Sequence, residues 1–228
     1  MIRTGSGFLL LAATFLIAAD NPAWQTKRVE QWDTEDAKQF LAESPWVGHV
    51  PLQWIPDRSP DQRRDSGDWD AGIGKGVGFE AILGGERARL AIARAHEKPD
   101  PGKVDIRWAS ALPVRVAEEK TGQKPNTPWK EWYAITVYNV PLPESHWGAD
   151  KLKGLAYLRR ENKKDFKPSR AEVVRNSDGT ATVTFLFNRS EEITRREKTV
   201  IFAAQFDRLF VSQFFYPREM VMRGQMEL

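Results

Sequence analysis

The chain has 228 residues, no cysteine, and 34 Lys and Arg against 31 Asp and Glu. A chain of this length buries about 70% of the surface its unfolded form exposes, so one core forms without metal or disulfide staples. The missing thiols exclude disulfides, thiolate zinc sites, a cysteine nucleophile and lipid attachment through Cys. A formal net charge of +3 is too small to imply a nucleic-acid partner.

Arg3 supplies a positive start, residues 7–19 (GFLLLAATFLIAA) are apolar and uncharged, and Ala19 offers a small residue for cleavage before Asp20. This pattern reads as a signal peptide over 1–19, with the cut free to fall a residue or two away. A retained membrane anchor and a buried core helix are the alternatives, but the run is shorter than the roughly 20 residues a helix needs to cross a bilayer. Export without cysteine fits a bacterial envelope better than an oxidising eukaryotic route. The expected location is therefore periplasmic or extracellular, with no transmembrane span after cleavage. Asn188-Arg189-Ser190 matches the glycosylation sequon, a tripeptide that arises easily by chance.

A helix is predicted over 34–42, opened by Asp33 or Thr34. Glu35 and Asp36 suit its positive end, Ala37, Phe40 and Leu41 form its apolar stripe, and Pro45 ends it. Residues 47–55 (VGHVPLQWI) read as an extended edge piece, because Pro51 donates no ladder hydrogen bond. The stretch 56–78 is rich in Pro, Gly, Asp and Arg and reads as a flexible surface loop. High helix propensity predicts a helix over 86–97, stopped by Pro99 and Pro101. Val104, Ile106 and Trp108 alternate with Asp105 and Arg107, the period of a half-buried strand over 103–109.

A short helix follows over 112–120, with Pro113 in its first turn, then a strand over 132–140 and a helix over 144–153. Asn176-Ser177-Asp178-Gly179 lies between two strand-like runs and predicts a hairpin, since Gly accepts the positive φ such turns need. Further strands are expected over 199–205, 209–216 and 222–228. Helices early and strands clustered late predict one α+β domain over 20–228, with a mainly antiparallel C-terminal sheet.

The segments that invite chemistry each have a plainer reading. Gly72, Gly74, Gly76 and Gly78 fit neither phosphate-loop spacing, which leaves a loop. Asp68 and Asp70 open like a calcium loop, but position twelve falls on Phe79 and Glu80 comes one place late. His49, His96 and His146 lie on separate segments, so a metal site or a general base would need them to converge in space. Ser66 and Ser110 have no nearby base, and no GxSxG is present. Glu118-Glu119 and Glu191-Glu192 are sequence neighbours whose side chains diverge on one element. The run 159–167 (RRENKKDFK) is locally basic but interrupted by acids, as in a solvated connection. Nine tryptophans stand out; most are expected in the core, with Trp69 and Trp129 in loops as the exposed pair. No catalytic residue, metal ligand or cofactor is assigned.

Three stretches, WDTEDAKQFLAESPW (32–46), DIRWASALPVRVA (105–117) and the C-terminal pair LFNRSEEIT with REMVMRGQMEL, resemble a group of small exported bacterial proteins of unknown function. That group shares a WxxEDAKxxLxxSPW segment and an RWxSALPVR segment. The resemblance implies export and one compact unit but supplies no catalytic residue, and the loop 56–78 is longer than the group leads one to expect. Two function classes remain. The first is a non-catalytic envelope protein, a binding or structural module that meets an envelope protein or glycan through an aromatic-rich surface or a sheet edge. The second is an extracytoplasmic hydrolase using carboxylate or histidine residues.

Overall fold

The computed structural model describes residues 21–55, 99–123, 130–141, 148–161, 163–190 and 192–228. The signal peptide at 1–19, the loop at 56–78 and the helix expected over 86–97 lie outside the described residues. A one-turn helix α1 (Ala23–Thr26) and a 3-10 turn (Val29–Gln31) lead into helix α2 (Thr34–Glu43). Asp33 caps α2 by accepting from the Asp36 N–H at 2.8 Å, and the Asp36 carboxylate accepts from the Asp33 N–H at 3.2 Å. Two of the free donors at a helix start are thereby satisfied reciprocally. Lys27 also donates to Asp36 and holds its carboxyl below the usual carboxylate range. Phe40 from the buried stripe stacks between Trp32 and Trp46, with ring centroids 5.0 and 5.4 Å away.

The extended piece after α2 divides between two sheets. Strand β1 (Val47–Pro51) forms an edge, as Pro51 requires, and the chain then turns at Leu52 into β2 (Gln53–Trp54). The remaining strands are β3 (Lys103–Trp108), β4 (Trp132–Val140), β5 (Ala156–Arg160), β6 (Arg170–Arg175), β7 (Ala181–Asn188), β8 (Val200–Phe206) and β9 (Leu209–Phe215). Helix α3 (Leu112–Lys120) links β3 to the segment before β4, and helix α4 (Ala149–Gly154) precedes β5. One sheet has the order β1-β3-β4-β7-β6 and the other β2-β9-β8-β5. Every pairing among the described strands is antiparallel. The fold is therefore α+β, with strands drawn from both halves of the chain.

The two sheets meet through aromatic rings. Phe185 of β7 lies 5.5 Å from Phe202 and 6.2 Å from Phe206 of β8, and Trp108 of β3 meets Phe215 of β9 edge-on at 5.0 Å. Each such pair adds about 0.5–1.5 kcal/mol beyond its buried area. Register explains the segregation: Ile106, Val137, Val183 and Val173 are aligned across four strands and share one face. The residues between them in sequence point the other way.

The predicted Asp-Gly hairpin forms between β6 and β7, with Gly179 at φ +85. Two expectations change. The strand placed over 222–228 is a small hairpin of β10 (Val221–Met222) and β11 (Gln225–Met226), because Arg223 and Gly224 take φ values of 52 and 78 and reverse the chain. Arg107, placed on the polar side of β3 by alternation, is 7% exposed; Glu118 of α3 lies against it. Among the described residues no helix is long and apolar enough to cross a membrane.

Candidate functional site

Three groups of ionisable side chains have enough structure to weigh as sites. The first pairs neighbouring strands: His49 of β1 faces Asp105 of β3 in register, with Nδ1 2.6 Å from Oδ1 of Asp105. The other ring nitrogen, Nε2, lies 3.1 Å from the backbone carbonyl of Ala42. A general base needs one ring nitrogen directed at the proton it takes. Here both nitrogens face oxygen acceptors within the fold, so the pair works as a clamp between the end of α2 and the sheet. His96 and His146 lie outside the described residues, as do Ser66, Asp68, Asp70, Glu191 and the Gly72 to Gly78 glycines.

The second group is closed. Arg107 Nη1 donates to Glu118 Oε1 at 3.0 Å and to Gln123 at 2.6 Å, and the Tyr138 hydroxyl donates to the same Glu118 oxygen at 2.6 Å. The guanidinium also sits 4.4 Å from the centre of the Tyr138 ring. Burial, then the charge of Glu118, pushes the Tyr138 hydroxyl far above the ordinary tyrosine range. One cation, one carboxylate and a neutral phenol balance each other here. Glu119, next in sequence, is exposed, so the two glutamates do diverge. Part of the basic run 159–167 is paired in the same way. Arg159 holds Asp165 at 2.6 Å, while Lys163 and Arg160 approach Glu197 at 2.6 and 3.6 Å.

The third group lines an open cavity of about 410 Å³, bounded by Ser110, Leu112, Arg115, Lys130, Arg189, Met226, Glu227 and Leu228. Its parts arrive from four regions. The turn after β3 brings Ser110, whose Oγ accepts from the Ala134 N–H at 3.0 Å and so keeps its own O–H to donate. Helix α3 brings Leu112 and Arg115 on its first turn, and Ala111 at its N-cap makes no side-chain capping bond. The end of β7 brings Arg189. Its Nε donates to the Trp132 carbonyl at 3.1 Å, its Nη2 donates to Leu228 O, and its plane lies 4.7 Å from the Tyr133 ring centre. Trp46 Nε1 fixes the opposite side by donating to the Glu227 carbonyl at 2.7 Å.

Three cations thus share a cavity with the Glu227 side chain and the main-chain oxygen of Leu228 that Arg189 holds. Burial pulls the Arg115 and Arg189 guanidinium groups below the ordinary arginine range; Glu227 counters this at both, and Arg189 reinforces it at Arg115. Arginine nevertheless stays charged at neutral pH. An open, partly dehydrated surface that carries arginine and lysine side chains is a place where a polar ligand can dock. Sequence inspection assigned a possible role to Ser110 alone of these residues. Arg115, Lys130 and Arg189 are far apart in the chain and match no spacing rule.

Among the described tryptophans, Trp32, Trp46 and Trp108 are each no more than 2% exposed and Trp24, Trp54 and Trp132 are partly buried, while Trp69, Trp129 and Trp147 lie outside the described residues. No three His, Asp or Glu residues cluster to hold a metal ion among the described residues. No family model, curated protein or solved structure matches the chain.

Proposed function

We propose that this chain is a non-catalytic exported envelope protein, a binding module that meets its partner, an envelope protein or a glycan, at the cavity beside α3. The observation that carries the reading is the 410 Å³ opening lined by both polar and apolar side chains, Ser110, Arg115, Lys130 and Arg189 beside Leu112 and Met226, because a concave site with convergent polar groups is where a ligand is held. Two further features support it. All lining residues except Lys130 fall in stretches 105–117, 186–194 and 218–228, which also carry the resemblance to exported bacterial proteins. Trp46, which anchors Glu227, belongs to the remaining such stretch. Export rests on the charge and hydropathy pattern of residues 1–19.

The test has two parts. Mass spectrometry of the protein from the cells that make it should find Asp20, or a residue beside it, at the N-terminus and the material in the envelope. Immobilised protein should then retain a partner or sugar from envelope extract that a chain carrying both Arg115→Gln and Lys130→Gln does not retain. Met1 still attached with the protein in the cytosol would overturn export. Equal retention by both forms, or none by either, would overturn the binding role of the cavity.

A further inference from the structure

A second charged surface lies where β9 ends beside the start of β8, with Phe215 opposite Val200. Three tight turns meet there. Residues 194–197 turn with the Glu197 N–H on the Thr194 carbonyl at 3.2 Å, and residues 216–219 with the Glu219 N–H on the Tyr216 carbonyl at 2.8 Å. The third turn is the C-terminal hairpin, reversed at Arg223 and Gly224. Two bonds hold the three together: Arg195 Nη2 donates to the Gly224 carbonyl, and Arg218 Nε donates to the Arg195 carbonyl at 3.2 Å. Each turn carries arginine at its tip, Arg195 with Arg196 on the first, Arg218 on the second and Arg223 on the third. Lys198 follows the first turn, and all five residues are exposed. A carbonyl that accepts from Arg195 or Arg218 leaves the cation's charge uncancelled, and four of the five guanidinium N–H groups remain to donate. The side chains of Arg196, Lys198 and Arg223 make no hydrogen bond or ion pair. Of the carboxylates on the turns, Glu197 is 7% exposed and held by Lys163, which leaves the exposed Glu219. Glu161, Lys164 and Glu192 are exposed on the flanking segments, so cations stay in excess at this end among the described residues.

We propose that this end of the molecule docks on an anionic phospholipid surface, with Arg195, Arg196, Arg218 and Arg223 on headgroup phosphates. A guanidinium matches a phosphate with two parallel N–H···O bonds, and a cluster of four or more basic residues is the usual footprint of an anionic lipid layer. Tyr216 begins the second turn and is 44% exposed. Tyrosine is a side chain that settles at headgroup level, its ring toward the acyl chains and its hydroxyl toward water. A nucleic-acid strand calls instead for a platform of several aromatic rings on which bases stack, and Tyr216 is the one exposed aromatic residue among those described. The surface uses none of the side chains that line the cavity beside α3, so the inference stands apart from the binding reading above.

Flotation of the protein, purified from the cells that make it, with vesicles of phosphatidylcholine alone and of phosphatidylcholine mixed with phosphatidylglycerol tests this. The anionic vesicles should be bound about a hundredfold tighter, the product of about three net cations at about fivefold each. At about 1 M salt, where the screening length is about 3 Å, the difference should disappear. Arg196→Gln and Arg223→Gln break no side-chain bond within the fold, so each should fold as the parent does and weaken binding to the anionic vesicles about fivefold. Tyr216→Ser should weaken binding while leaving its salt dependence in place. Lys38→Gln removes the same charge from α2, where Lys38 pairs with Glu35, and should change nothing. Equal binding to the two kinds of vesicle overturns the inference. So does a loss in Lys38→Gln equal to that in Arg223→Gln, which would reduce the effect to net charge. A single-stranded oligonucleotide that binds where the anionic vesicles do not would overturn it in favour of a nucleic-acid face.

Discussion

Helix α3 contributes to two sets of charges that are balanced in opposite ways. Glu118 faces a buried group in which Arg107, Gln123 and Tyr138 all converge on or beside one carboxylate, and it is itself 2% exposed. Arg115, three residues earlier, faces an open cavity that Lys130, Arg189 and Glu227 also line. Removing a charge from water costs several kcal/mol per ion, so a closed site has to supply a partner from within the fold. An open site keeps part of its hydration and tolerates an imbalance that a ligand can complete. The contrast distinguishes charges closed inside the scaffold from charges at an open surface.

The largest effect should come from opening the closed set. Glu118→Leu leaves Arg107 buried beside Tyr138 without its carboxylate, and the expected loss is about 3–5 kcal/mol, read from urea denaturation. Replacing both partners, Arg107→Met with Glu118→Leu, should recover most of that loss, because an apolar pair of similar volume avoids the desolvation cost. A double variant as unstable as the single one would show that the pair stabilises in its own right.

Alkaline pH should produce the next largest effect, again through the buried side. Tyr138 is held above its ordinary range by burial and Glu118, and burial pushes the Tyr157 hydroxyl up to about 12. The unfolded chain releases these protons near pH 10, before the folded chain does, so the folded state binds more protons above that point. Stability contributed by the neutral phenols is complete below about pH 10 and is lost as pH rises toward the folded values, by up to about 1.4 kcal/mol per pH unit for each group. Tyr157 Oη is buried and has no hydrogen-bond partner among the described residues. Tyr157→Phe should therefore flatten the decline measured by thermal melts between pH 9 and 11.5, and cost nothing at pH 7. An unchanged alkaline slope in that variant would mean the hydroxyl is reached by water.

Much of this scaffold is legible from local chemistry, and the cavity is not. Asp33 with Asp36, the alternation of Val104, Ile106 and Trp108, and the Asp178-Gly179 turn act over a few residues, and each forms where the sequence predicts it. Arg107 escaped because alternation gives only the face of a strand, while Glu118 supplies the cover from another element. The C-terminal hairpin escaped because Arg223, unlike glycine or asparagine, gives no sign of a positive φ. The cavity depends on the same kind of tertiary arrangement, since Ser110, Lys130, Arg189 and Glu227 come together only after the sheets close. All of its residues but Lys130 stand in singled-out stretches, yet nothing in their spacing shows that those stretches converge.

The smallest predicted effect bears most directly on the open set. Lys130 is exposed and shares the cavity with two arginines, so Lys130→Gln removes one of its three cations. Surface substitutions away from caps, cores and buried pairs usually change stability by less than about 0.5 kcal/mol. Lys130→Gln should stay within that bound at low salt. At about 1 M salt the screening length falls to about 3 Å and the change should shrink further. Urea denaturation of the two chains at both salt concentrations measures this. A loss of about 2 kcal/mol or more would place Lys130 among the charges that hold the fold, and the distinction between the two sides of α3 would fail. A change below about 0.5 kcal/mol, beside the large loss from Glu118→Leu, is the pattern expected when one side of α3 faces a closed pair and the other an open cavity.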